Sequence, residues 1–238
     1  MDIIQRRHKI LKKVVEEYIK TALPVSSELL QSEWFFDVSP ATIRLDLAEL
    51  TNGGFLEKPY ISGGRVPTDR GYRFFVDHLP QTDHQTVQTR KFSEFLAEFH
   101  DIAKLSQEIA RILAKHSANL GIVYLKDFDI LWQEGWPKLI REPEFNDISC
   151  LRDFTNSLQE LINQITNLLP QSQEKANVFI GQECPLKKNN FSVIIGQGFW
   201  GNQKEQQIFF GVTGPRRMDF SSNIRLINNL MRAFNSYD

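Results

Sequence analysis

Between Ser39 and Val66 the chain carries its own punctuation. Ser39 supplies a side-chain acceptor for the first free N–H groups of a helix, and Pro40 fits its first turn. Gly53-Gly54 stops it, so a helix over 39–52 is bounded at both ends before any tertiary contact is considered. At 100° per residue, Leu47 and Leu50 lie within about 40° of Ile43 and form an inward stripe. Leu45 lies about 160° away and faces outward, with Ala41, Ala48 and Asn52 beside it and Thr42, Arg44 and Glu49 on the flanks. That outer face of small residues admits close approach to another surface. Ser39 and Thr42 at its N-terminus can donate to phosphate.

The flanking segments limit the fold further. In residues 3–20, IIQRRHKILKKVVEEYIK, apolar side chains recur at helical spacing, and Pro24 of the following TALP ends the helix. Val25-Ser26-Ser27 offers a serine cap to a short helix ending near Ser32. After Gly54 comes a hairpin, 55–67, whose bend Ser62-Gly63-Gly64 can take positive φ. Arg65, at the edge of the bend, can reach a phosphate or the minor groove. Three helices and a hairpin describe a winged helix-turn-helix, with 39–52 as recognition helix and 55–67 as wing. DNA binding is the expected use, with protein docking and a plain structural role as the alternatives. Charge does not choose between them. The chain has 28 Lys plus Arg against 29 Asp plus Glu, and residues 1–78 carry 11 basic and 11 acidic side chains. Any attraction to DNA must come from arrangement rather than total charge.

The run SPATIRLDLAEL at 39–50 followed by GFLEKPYISGGRVPTDRGYRFFVD at 54–77 resembles the N-terminal region of the HrcA family of bacterial heat-inducible transcription repressors. REPEFND at 141–147, IGQE at 180–183 and FGVTGPRRMDFSSNIRLINNLM at 210–231 agree in order. The resemblance implies an α+β chain: an N-terminal winged helix-turn-helix domain followed by a GAF-like α/β domain with a dimerisation insertion. It implies a homodimer on double-stranded DNA at an inverted-repeat operator called CIRCE, repression of chaperone operons, and help from the GroEL chaperonin. No cofactor is expected. Ser39, Thr42 and Arg44 match the family's recognition-helix motif, and Gly64, Arg65 and Thr68 match its wing motif. Leu45 stands where the family usually has Asn, exchanging an adenine-reading amide for apolar contact with a thymine methyl. Gly63 replaces a usual alanine and Arg216 a usual threonine. Family members are longer between the helix ending near Ser117 and the strand starting at Leu120, so a reduced GAF-like domain is expected, lacking much of the insertion.

The expected organisation is a winged helix over 1–79, a polar linker over 80–89, and the reduced GAF-like domain over 90–238. The periodicity from Phe92 to about His116 predicts one long amphipathic helix, with core packing and a dimer seam as its two uses. Strands are expected at 120–125, 128–132, 177–181, 191–197 and 206–212, with helices at 149–169 and 221–235. Trp132, Trp136, Phe199 and Trp200 read as core or interface rims. Arg216 and Arg217 can bind an anion at a helix start, and an ion pair with Glu183 or Asp219 is the structural alternative. No enzyme is expected: there is no phosphate loop and no HExxH, and the five histidines have no spaced partner. Cys150 and Cys184, the two cysteines, lack metal-ligand spacing and suit a reducing cytoplasm. The N-terminal stretch has charges inside its apolar run, so neither a signal peptide nor a membrane span is expected. A sequence-specific repressor is thus the leading function. The rivals are an interaction module that retains a winged helix without DNA recognition, and a ligand- or heat-responsive regulator.

Overall fold

The computed structural model describes residues 3–35, 37–60, 63–80, 87–168, 175–184, 190–201 and 206–236. The chain divides into two compact units, 1–80 and 81–238. No described helix is long and apolar enough to cross a membrane.

The first unit runs α1 (Ile3–Thr21), α2 (Ser27–Trp34), α3 (Pro40–Asn52), β1 (Leu56–Glu57), β2 (Val66–Pro67) and α4 (Asp69–Asp77). Three of these helices begin with the side chains chemistry prefers. Ser26, Ser39 and Thr68 each accept the N–H three residues on, satisfying donors that a helix leaves without partners. α2 extends two residues beyond the expected end at Ser32. The inward stripe of α3 is buried as its spacing requires, with Ile43, Leu47 and Leu50 joining Ile10, Val14 and Leu30. Beside that stripe Asp46 is buried and bridges to Arg6 at 2.6 Å and Arg7 at 3.1 Å. The hairpin is shorter than expected, two antiparallel residues on each side, Leu56 with Pro67 and Glu57 with Val66. A third segment joins it where Val25 and Arg65 exchange both backbone hydrogen bonds, at 2.9 and 2.8 Å.

The bend works differently from the expectation. Ser62 lies outside the described residues, and neither Gly63 nor Gly64 has positive φ; that role falls to Gly54, φ 74°, just after α3. Gly64 is needed for proximity instead. A Cβ there would stand 2.4 Å from the Val25 carbonyl oxygen, so only glycine lets the two backbones pair.

The second unit contains α5 (Val87–Ala97), α6 (Ile102–Ser117), β3 (Leu120–Leu125), β4 (Ile130–Glu134), α7 (Trp136–Leu139), α8 (Ile148–Leu168), β5 (Asn177–Ile180), β6 (Phe191–Trp200), β7 (Gln206–Pro215) and α9 (Phe220–Ser236). The strands form one antiparallel sheet in the order β4-β3-β7-β6-β5. Its two faces follow the two-residue period of the strands. Ile122, Val193, Ile195 and Phe209 join Phe154, Leu158 and Leu161 of α8 in one cluster. On the other face Phe210 stacks on Phe234 of α9 at 5.4 Å, and Gly196 lies under Met231. The result is a sheet covered by helices on both sides.

Several expectations need correction. The single helix over 92–116 is two, because the chain breaks at 98–101 and Asp101 caps α6 by accepting from the Ala103 N–H at 2.9 Å. α5 begins at Val87, inside the stretch expected as linker; residues 81–86 of that stretch lie outside the described residues. The strand expected at 128–132 lies at 130–134, after a 3-10 turn at Lys126–Phe128. Arg217 bridges to Glu142 and Glu144, both at 2.6 Å, partners that the sequence reading did not name. Finally, His8 and His78 lie near each other in space, their ring centres 6.1 Å apart, and both also pack on Phe74.

Candidate nucleic-acid interface

The expected site residues fall on α3 and on the hairpin beside it. Ala41, Arg44, Leu45 and Asn52 are exposed on the outer face of α3, and Ala48 is half-buried among them. Leu45 is 69% exposed although it is a large apolar residue in the middle of a helix. The helix is held from behind by the buried stripe, by the Asp46 bridges and by Arg70. The last donates to the Gly53 carbonyl at 2.8 Å while its guanidinium lies 4.4 Å from the Phe55 ring centre.

At the start of α3, Ser39 Oγ accepts from the Thr42 N–H at 3.1 Å and lies 2.9 Å from Thr42 Oγ1. Two hydroxyls in one such contact spend one hydrogen, so one O–H remains for an incoming acceptor. Arg44 is engaged within the protein: its Nε donates to Ser27 Oγ at 3.2 Å and its Nη2 to the Glu28 carboxylate. The Arg44 hydrogen bond, followed by the Glu28 backbone and Ser27, holds the Glu28 carboxyl down at about 2. Arg65 is half-buried, donating from Nε to Thr51 Oγ1 at 3.0 Å, which fastens the hairpin to α3. Thr68 is spent on the fold: its hydroxyl donates to the Gly54 carbonyl at 2.6 Å and accepts from the Gly71 N–H at 3.1 Å. Gly64 serves the Val25–Arg65 pairing.

Arg44, Arg65 and Lys58 line a polar cleft of about 400 Å³ with Ser26, Ser27 and Glu28. Lys58, Ser27 and Glu28 escaped the sequence reading. Glu28 sits 16 residues from Arg44, and nothing in linear spacing joins them. The arrangement presents a rigid helix face, one hydroxyl at the helix N-terminus and a cleft with three cations. Those are the parts from which a protein grips a duplex through phosphates and base edges.

Comparison with known proteins adds an independent finding. The family model described as "HrcA protein C terminal domain" matches residues 70–224. The heat-inducible transcription repressor HrcA of Natranaerobius thermophilus is 44% identical over 127 residues, covering 52% of this chain and 36% of that protein. The protein of the same name from Chloroflexus aggregans is 53% identical over 77 residues, 32% of this chain and 20% of that protein. The matched part thus spans about a third or less of the length of these curated relatives. A crystal structure described only as that of a hypothetical protein shares the fold, with a TM-score of 0.71 over 98% of each chain at 18% identity.

Proposed function

Since the chain belongs to the HrcA family, we propose that it is a sequence-specific DNA-binding repressor of heat-shock (chaperone) operons. It acts by occupying an inverted-repeat operator of the CIRCE type as a homodimer, and no catalytic step is involved. In this reading the first unit is a winged helix-turn-helix: α3 enters the major groove and the β1–β2 hairpin lies along the adjacent backbone. The second unit is the reduced GAF-like body that pairs two copies. Family membership also implies the GroEL chaperonin as a partner and the cytoplasm as the location. The observation that carries the proposal is the exposed outer face of α3 beside the cleft of Arg44, Lys58 and Arg65.

The test is fluorescence anisotropy at physiological salt with a duplex carrying the CIRCE-type inverted repeat and a scrambled duplex of equal length. The repeat is expected to bind at least about a thousandfold more tightly. Lys58→Ala is expected to weaken all sequences alike and to reduce the slope of log K against log salt by about 1. A protein-docking reading draws on Leu45 and Tyr60, exposed by 69% and 71%. It predicts equal, weak and steeply salt-dependent binding to both duplexes.

A further inference from the structure

We propose that α3 reads its operator through the C5-methyl groups of thymine, with Leu45 as the principal specificity-determining side chain. The inference rests on the DNA-binding reading above and deepens it by naming what is read.

A base edge in the major groove is recognised by hydrogen bonds or by apolar contact, and thymine alone among the four bases presents a methyl group there. The outward stripe of α3 consists of Ala41, Leu45, Ala48 and Asn52, which fall within about 60° of one another around the helix. Three of the four have no hydrogen-bonding side chain. The one amide, Asn52, is the last helical residue, whereas a recognition helix reads base edges with its N-terminal residues. Ala41 and Leu45 are therefore the side chains nearest the bases.

The polar side chains flanking the stripe already have partners within the protein, Arg44 and Glu49 in exposed pairs. Arg44 is held by Glu28 and Ser27. Glu49 faces Arg7 at 3.5 Å. Ser39 and Thr42 form the cap, and their remaining O–H points to a role at phosphate. Leu45 takes no part in the core, which Ile43, Leu47 and Leu50 supply from the opposite side. Its exposed isobutyl group gives the groove a surface that gains from meeting a methyl and gains nothing from meeting an amino or carbonyl edge. Small neighbours at 41 and 48 leave it standing proud, so the helix can seat deeply enough for the contact.

Replacing thymine with uracil removes the methyl group and keeps every hydrogen bond. Full-length protein would be titrated by anisotropy against the tightest duplex recovered by selection from a random pool, then against copies carrying uracil at each thymine in turn. At one position in each half-site, uracil should weaken binding about fourfold, the worth of one buried methylene. With Leu45→Ala the same replacement should change affinity less than twofold, because the two losses share one contact. Leu45→Asn, of similar size, should select adenine at that position. Because Leu45 is exposed, these variants are expected to keep the far-ultraviolet circular dichroism of the parent. Tight, sequence-specific binding that is indifferent to uracil, or a uracil effect unchanged in Leu45→Ala, overturns the methyl reading and leaves the repressor standing. Failure of the selection to enrich any sequence overturns the repressor reading, and this one with it.

Discussion

Arg44 and Glu28 tie α3 to α2 through side chains that both stand largely in water, 64% and 60% exposed. The pair sets how acid acts on this part of the molecule. Folded Glu28 has its carboxyl near 2 against an ordinary 4.5, chiefly through the Arg44 hydrogen bond. A depressed folded value means that the unfolded chain takes up the proton first. The contribution of the pair is complete above about pH 4.5 and is lost as pH falls from there through about 2. Glu28→Gln should lower stability slightly at neutral pH, as for exposed pairs generally, and the difference from the parent should vanish as pH falls from about 4.5 through about 2. Acid unfolding of both proteins followed by circular dichroism checks this, and equal acid profiles would refute it. At this scale the sequence was half legible. The inward direction of Ile43, Leu47 and Leu50 and the outward direction of Leu45 follow from 100° spacing within one helix. The partners of Arg44 and Asp46 lie 16 and about 40 residues away, and local periodicity says nothing of them.

Elements were legible where their ends are marked by chemistry. The serine caps and the Gly53-Gly54 stop located α3, and alternating apolar residues located the five strands to within a few residues. The break between α5 and α6 was missed because apolar spacing continues across it: Phe95 and Phe99 still meet at 4.9 Å between ring centres. Periodicity reports a shared face; it does not report a continuous backbone, and Asp101 as a cap was the available signal. The hairpin gives the sharpest prediction at this level. Gly64→Ala would drive a methyl group into the Val25 carbonyl and should cost about 1–3 kcal/mol. Gly63→Ala meets its nearest neighbour, Tyr60, at an ordinary 3.5 Å and should stay within about 0.5 kcal/mol. Urea unfolding of the two variants distinguishes them, and equal costs would mean that the Val25–Arg65 pairing tolerates separation.

Over the whole molecule, the segments that sequence motifs marked as distant turn out to be bound together. Arg217, from the turn before α9, is only 11% exposed and holds Glu142 and Glu144 from the 3-10 turn before α8. Those carboxylates raise its pKa against the lowering effect of burial. Arg217→Ala would leave two half-buried carboxylates facing each other, and should destabilise the second unit by about 2–4 kcal/mol. Tryptophan fluorescence in urea is a suitable readout, since Trp132, Trp136 and Trp200 lie in that unit and only Trp34 in the first. An unchanged midpoint would show that the three groups are solvated rather than paired. The sheet order has a consequence in time. β3 is made early and pairs at its inner edge with β7, which follows some ninety residues later. During synthesis residues 1–80 can close their core while the β3–β4 hairpin still waits with one edge open. The strand that completes the middle of the sheet is the last to emerge. For that interval a nascent chain consists of a finished first unit attached to a body that has yet to form.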